Sequence, residues 1–136
     1  MNLKDQIKLA KENIKMAYTP YSNFKVTSVL VGKSGKLYTG VNIENASLTP
    51  GICAERTAFS KAVSEGELEF QRIIIMGGKE GNIKDYVAPC GVCRQVMMEF
   101  CDPKTFEVVL AVDEDNYKTF TLEDLLPLGF GPNDLG

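Results

Sequence analysis

Residues 53–93, CAERTAFSKAVSEGELEFQRIIIMGGKEGNIKDYVAPCGVC, read as a helix, an apolar strand and the start of a second helix, with a cysteine at the front of each helix. Ala54, Ala58 and Ala62, with Phe59 and Val63, recur at helical spacing, and Gly66 is a stop signal. Residues 70–76 are almost continuously apolar after a polar start, the pattern of a strand covered on both faces. Residues 77–82, rich in glycine, read as a loop. Beyond Pro89, Val92, Val96 and Phe100 stack at four-residue spacing beside Cys93, Met97 and Cys101, which predicts a second helix.

Working outward, Leu3, Ile7, Ala10, Ile14 and Ala17 recur at steps of three and four with lysines between them, an amphipathic helix covering one face of a core. Thr19-Pro20-Tyr21-Ser22 ends it. Residues 24–31 and 37–41 are extended in pattern, and Gly32-Lys33-Ser34-Gly35 between them predicts a hairpin. Asn42-Ile43-Glu44-Asn45 follows, and its composition suits an ordinary polar loop and a binding segment equally well. Towards the C-terminus, residues 106–112 read as a buried strand, Asp113-Glu114-Asp115-Asn116 as a turn and residues 117–120 as a short strand. Thr121 with Asp124 is a capping signal for a brief helix that Pro127 stops. The series helix, two strands, helix, strand, helix, strand, strand, helix predicts an α/β fold, a three-layer α-β-α sandwich around a mixed five-stranded sheet. No linker divides residues 1–136, so one domain is expected.

The chain has 136 residues, 15 basic and 18 acidic, for a net charge of −3. That balance has no electrostatic footprint for nucleic acid. Its apolar runs are only a few residues long, far short of the ~20 needed for a membrane span. The N-terminal segment lacks the apolar region of a secretory signal, and Asp5 and Glu12 argue against a transit peptide, so a cytoplasmic protein with reduced thiols is expected. There are four cysteines and no histidine. Any transition metal must therefore draw its softer ligands from thiolate.

Cys90 and Cys93 form a C-x-x-C at a helix start, which alone is ambiguous between metal binding and redox chemistry. Cys53 supplies a third ligand at the start of its own helix, where helix dipoles favour thiolate over thiol. Three ligands leave tetrahedral zinc one open position, the pattern of a catalytic site, and Cys101, about two helical turns from Cys93, is too remote to close it. Glu55 is the acid beside this set, able to take and return a proton. Arg56 lies one turn from Cys53, placed to offset the −1 charge of three thiolates plus Zn²⁺.

Cys53-Ala54-Glu55 with Pro89-Cys90-Gly91-Val92-Cys93 resembles the zinc deaminase signature. The longer strings Cys-Ala-Glu-Arg-Thr-Ala and Pro-Cys-Gly-Val-Cys-Arg-Gln are similar to those of the small, homotetrameric cytidine deaminases. The likeness extends through Pro20-Tyr21-Ser22-Asn23-Phe24-Lys25-Val26, Asn42-Ile43-Glu44-Asn45 and Leu125-Leu126-Pro127-Leu128-Gly129-Phe130. The resemblance implies one Zn²⁺ per subunit on Cys53, Cys90 and Cys93, with Glu55 as the catalytic acid and base. It implies that Asn42 and Glu44 bind a ribose, that Phe24 packs beside a pyrimidine, and that the Ala54 N–H holds the base edge. Phe130 then matches an aromatic that reaches a neighbouring subunit's pocket, giving a homotetramer with shared active sites. Leu48 departs from the tyrosine that some bacterial members carry near an adjoining subunit's pocket, and Leu128-Gly129 departs from their Gly-Ala. The implied reaction is hydrolytic deamination of cytidine and deoxycytidine in pyrimidine salvage. Three rival readings remain open at this level: a deaminase of the same fold acting on a polynucleotide, which the acidic balance opposes, on a nucleotide or on an antibiotic such as blasticidin S; a structural-zinc binding module; and a dithiol redox protein.

Overall fold

The computed structural model covers Met1–Gly136. Its elements run α1 (Leu3–Asn13), β1 (Phe24–Gly32), β2 (Leu37–Val41), α2 (Ala54–Ser64), β3 (Phe70–Lys79), α3 (Gly91–Phe100), β4 (Glu107–Asp113), β5 (Asn116–Thr121) and α4 (Leu122–Leu125). The strands form one sheet in the order β2-β1-β3-β4-β5. Only β3 and β4 are parallel, in the register Arg72↔Glu107 to Ile75↔Leu110, and α3 lies in the connection between them. No helix is long and apolar enough to cross a membrane.

Side-chain alternation sorts the strands into two cores. Leu30, Ile73, Ile75, Val108 and Leu110 point to the side of α2 and α3, where they meet Ala58, Phe59, Ala62 and Met97. Val29, Val31, Ile74, Met76, Val109 and Ala111 point the other way, onto Ile7 and Ala10 of α1. The result is the expected three-layer sandwich on a mixed five-stranded sheet, and the unbroken apolar run of β3 follows from its burial on both faces. Phe59 of α2 holds the upper layer together. Its ring centroid lies 5.1 Å from Phe70, 6.0 Å from Phe100 of α3 and 6.3 Å from Phe106. Aromatic pairs of this kind contribute about 0.5–1.5 kcal/mol each beyond area burial, which fixes α2 against α3.

Two boundaries differ from the sequence expectation. The first helix stops at Asn13 and tightens into a 3-10 turn, Ile14–Met16, before Ala17 turns extended. The cause lies downstream: Tyr18 bridges to Ile43, its N–H donating to the Asn42 carbonyl at 3.0 Å while its carbonyl accepts from Glu44 N–H at 2.9 Å. The presumed loop at 77–82 is strand as far as Lys79, with Gly77 and Gly78 paired to Val26 and Lys25 of β1. A Cβ at Gly78 would sit 1.9 Å from the Asn82 carbonyl oxygen, so glycine there allows the chain to double back over its own strand. At the C-terminal side the capping box forms as expected: Asp124 N–H donates to Thr121 Oγ1 at 3.1 Å, and Thr121 N–H to the Asp124 carboxylate at 2.9 Å.

Candidate metal centre and adjoining pocket

Cys53 is the N-cap of α2 and Cys90 the N-cap of α3, and neither makes a side-chain capping hydrogen bond. Cys93 sits one turn into α3 and is buried. The three sulfurs converge. Cys53 Sγ is 3.8 Å from Cys90 Sγ, Cys90 Sγ is 3.5 Å from Cys93 Sγ, and all three lie within 4.8 Å of one another. Zinc–sulfur bonds of about 2.3 Å in a tetrahedron put neighbouring sulfurs about 3.8 Å apart, so the donor set fits zinc in both chemistry and spacing. Cys101 caps the far end of α3 and lies outside the cluster, packed against the core, where burial pushes its thiol pKa up.

The convergence has local causes. α2 starts hard against the sheet because Gly40 on β2 has no side chain: a Cβ there would lie 2.2 Å from the Ala54 carbonyl oxygen and 2.7 Å from Ala58 N. Thr57 Oγ1 then ties the same turn to β2 by donating to the Val41 carbonyl at 3.0 Å. On the other side, Arg94 of α3 donates from Nε to the Pro89 carbonyl at 2.8 Å and from Nη1 to the Leu125 carbonyl, pinning the approach to Cys90.

The pKa of Cys53 is drawn down to about 5, first by the neighbouring Cys93 thiol and then by Arg56 and Cys90, against the cost of desolvation. The pKa of Cys93 is pushed up by its closeness to Cys53 and by burial. Arg56 Nη2 stands 3.7 Å from Cys53 Sγ, and its Nε is buried without a protein partner. Glu55 is 4% exposed. Desolvation pushes its carboxyl up to about 7, opposed by the hydrogen bond from its own backbone N–H and reinforced by the charge on Cys53.

A cavity of about 300 Å³ opens beside the cluster, with Asn42, Glu44, Cys53, Ala54, Glu55 and Cys90 in its wall. Its size suits a small ligand. The wall holds two carboxylates and neither lysine nor arginine. Asn42 Oδ1 accepts from Val26 N–H at 2.8 Å and Nδ2 donates to the Phe24 carbonyl at 2.8 Å, which leaves one amide hydrogen free. The Glu44 carboxylate accepts from the backbone N–H groups of Tyr21 at 3.0 Å and Ser22 at 3.1 Å and from the Ser22 hydroxyl. Those bonds, the Ser22 hydroxyl foremost, hold its pKa below the usual carboxylate range and leave one acceptor site open. Ala54 occupies the first position of α2, where a backbone N–H has no intrahelical acceptor.

Two expected binding residues are not in this wall. Phe24 lines a neighbouring hollow of about 530 Å³ that shares Val87 with the cavity. Phe130 is 58% exposed on the C-terminal segment, which Gln95 of α3 holds by donating to the Phe130 carbonyl at 2.8 Å. Leu48 is 92% exposed on a third hollow that borders Glu44. Conversely, Ser22, Val26, Ser28 and Val87 shape the site without having been assigned roles from the sequence. For Ser28 a signal was present: a hydroxyl pair, Thr27-Ser28, in the middle of an otherwise apolar strand.

The model of the cytidine and deoxycytidylate deaminase zinc-binding region matches residues 1–109. A probable cytidine deaminase of Dictyostelium discoideum is 42% identical over 135 residues, covering 98% of this chain and 86% of the relative. The cytidine deaminase of Sporosarcina psychrophila is 39% identical over 135 residues, covering 99% and 96%. Among solved structures, the cytidine deaminase of Burkholderia pseudomallei superposes with a TM-score of 0.86 at 42% identity, over 96% of this chain and all of that one.

Proposed function

The chain belongs to the cytidine and deoxycytidylate deaminase family, and from that premise we propose that it converts cytidine and deoxycytidine to uridine and deoxyuridine by zinc-dependent hydrolysis, releasing ammonia. The observation that carries this reading is one arrangement: three sulfurs within 4.8 Å of one another, with the buried Glu55 beside them in the wall of a small-ligand cavity. A structural zinc site would have closed the fourth position with a protein ligand, and a dithiol redox site would need neither Cys53 nor Glu55.

Cys53, Cys90 and Cys93 would hold one zinc ion per subunit. When bound, the zinc supplies Lewis acidity that makes a water nucleophilic at neutral pH. Glu55 takes a proton from that water as its oxygen adds to C4 and delivers it to N3 of the pyrimidine. As the C4–N bond breaks, Glu55 passes the second water proton to the departing amine. Uridine and ammonia then account for every atom of cytidine and water. Arg56, beside Cys53 Sγ, offsets the excess negative charge of three thiolates.

Recognition follows from the groups left unpaired. The Ala54 N–H meets the pyrimidine edge, while the free Asn42 amide hydrogen and the open Glu44 acceptor site meet ribose hydroxyls. A wall with two carboxylates and no cation favours a nucleoside over a nucleotide, whose phosphate would need lysine or arginine. Phe24 flanks the base from the adjoining hollow, and Phe130 serves a neighbouring subunit in a homotetramer with shared sites. The cytoplasm, where thiols stay reduced, suits three cysteine ligands, and the reaction serves pyrimidine salvage.

Glu55→Gln tests the assignment. It is expected to keep one equivalent of zinc and to lose roughly 10²–10⁴-fold in turnover of cytidine. Turnover close to that of the parent protein would overturn the role of Glu55.

A further inference from the structure

The middle of β1 is apolar at Val29, Leu30 and Val31, yet residue 28 is a serine with no exposed surface. By the alternation that points Leu30 towards α2, Ser28 faces α2 as well. Its hydroxyl donates to the Ala54 carbonyl at 2.9 Å. That oxygen belongs to the peptide whose other end is the Glu55 nitrogen, one bond from the Cα that carries the carboxylate.

The Ala54 carbonyl is also the oxygen against which Gly40 packs. One peptide is therefore gripped from two neighbouring strands, by close contact from β2 and by a hydrogen bond from β1. Backbone satisfaction does not require the second grip, because a carbonyl at the first helical position already has the N–H four residues on as its partner. A buried hydroxyl brings a desolvation cost that an alanine at the same place would avoid. What the hydroxyl adds is direction and polarisation: a bond to the carbonyl orients the peptide plane and strengthens the N–H at its other end as a donor.

We propose that Ser28 is a positioning residue for Glu55, acting through the Ala54–Glu55 peptide to hold the carboxylate where the protons are exchanged. The inference rests on Glu55 carrying the protons in cytidine deamination. Ser28 lies outside the cavity wall and the sulfur cluster, so it acts only through the peptide it grips, and its loss is expected to fall on proton transfer at Glu55.

Threonine and valine at position 28 have the same shape and differ in the donor, so Ser28→Thr and Ser28→Val separate hydrogen bonding from packing. The zinc-loaded full-length proteins are compared for zinc content, melting temperature, kcat and KM on cytidine. Ser28→Thr is expected to stay within about twofold of the parent kcat, and Ser28→Val to fall about five- to tenfold in kcat with KM and zinc content unchanged. Ser28→Ala, which removes the donor without adding bulk, is expected to match Ser28→Val and stands in for it if the larger side chain prevents folding. Equal kcat for the threonine and valine proteins, a parent-like alanine protein, or a loss confined to KM would overturn the proposal. A parent protein inactive on cytidine would instead reject the reaction itself.

Discussion

Cys53 and Glu55, two positions apart, show what a local pattern can and cannot reveal at the scale of single residues. Their types and spacing, joined to Cys90 and Cys93, were enough to expect a zinc-thiolate set with an acid beside it, because ligand chemistry depends on residue identity. The partners of Asn42 and Glu44 were not legible. Their hydrogen bonds go back to Val26, Phe24, Tyr21 and Ser22, 16 to 23 residues earlier, and only the folded sheet edge brings those groups together. Nor did local pattern show that Phe24 faces a separate hollow. The cysteines permit a sharp comparison. Cys53→Ala is expected to abolish stoichiometric zinc, whereas Cys101→Ala, altered at the opposite end of α3, keeps it. Metal analysis of the purified proteins checks both, and a full zinc equivalent on the Cys53 variant would contradict its ligand role.

At the scale of elements, periodicity placed the three long helices and the buried strands, because burial of a face imposes its spacing, while turn residues and the Thr121–Asp124 capping signal placed the hairpins and α4. The misplaced ends share one physical origin. α1 is cut short by the Tyr18–Ile43 bridge, and β3 runs on through two glycines because β1 is there to pair with them. Both are tertiary contacts overriding local preference. Gly40 looked like an ordinary strand residue, yet it determines how closely α2 can seat. Gly40→Ala is expected to cost about 1–3 kcal/mol of stability through overpacking. It should also lower turnover, since the displaced first turn carries Cys53, Ala54 and Glu55. Urea unfolding and steady-state assay of the same protein measure the two effects, and a variant with parent-like values in both would show that the turn tolerates the shift.

For the whole molecule, the three layers were legible because the series of helices and strands, with β3 apolar almost throughout, requires cover on both faces of the sheet, and the folded chain divides those apolar residues between two cores. Assembly was not, since nothing in a strand pattern says what an exposed side chain meets. Tyr21, Phe24, Ile43, Leu48 and Phe130 all leave apolar surface uncovered on the single chain. A homotetramer of a 15.0 kDa chain, about 60 kDa in light scattering, is the expected assembly. In it, Phe130→Ala should raise KM for cytidine several-fold while leaving zinc content intact. A monomeric parent protein, or an unchanged KM, would remove the shared-site reading.

The meeting of two helix starts at the sulfurs also bears on how the chain keeps its shape. Cys53 and Cys90 are 37 positions apart, and a metal ion joining them closes a long loop of the unfolded chain in the manner of a cross-link. The two helices it clips share one side of the sheet, while α1 on the opposite side touches none of the three thiols. Affinity for zinc and resistance to unfolding are therefore two measures of a single linkage, and its effect is lopsided. Metal loss would loosen the layer that carries the chemistry and leave the other standing as a template on which it can re-form.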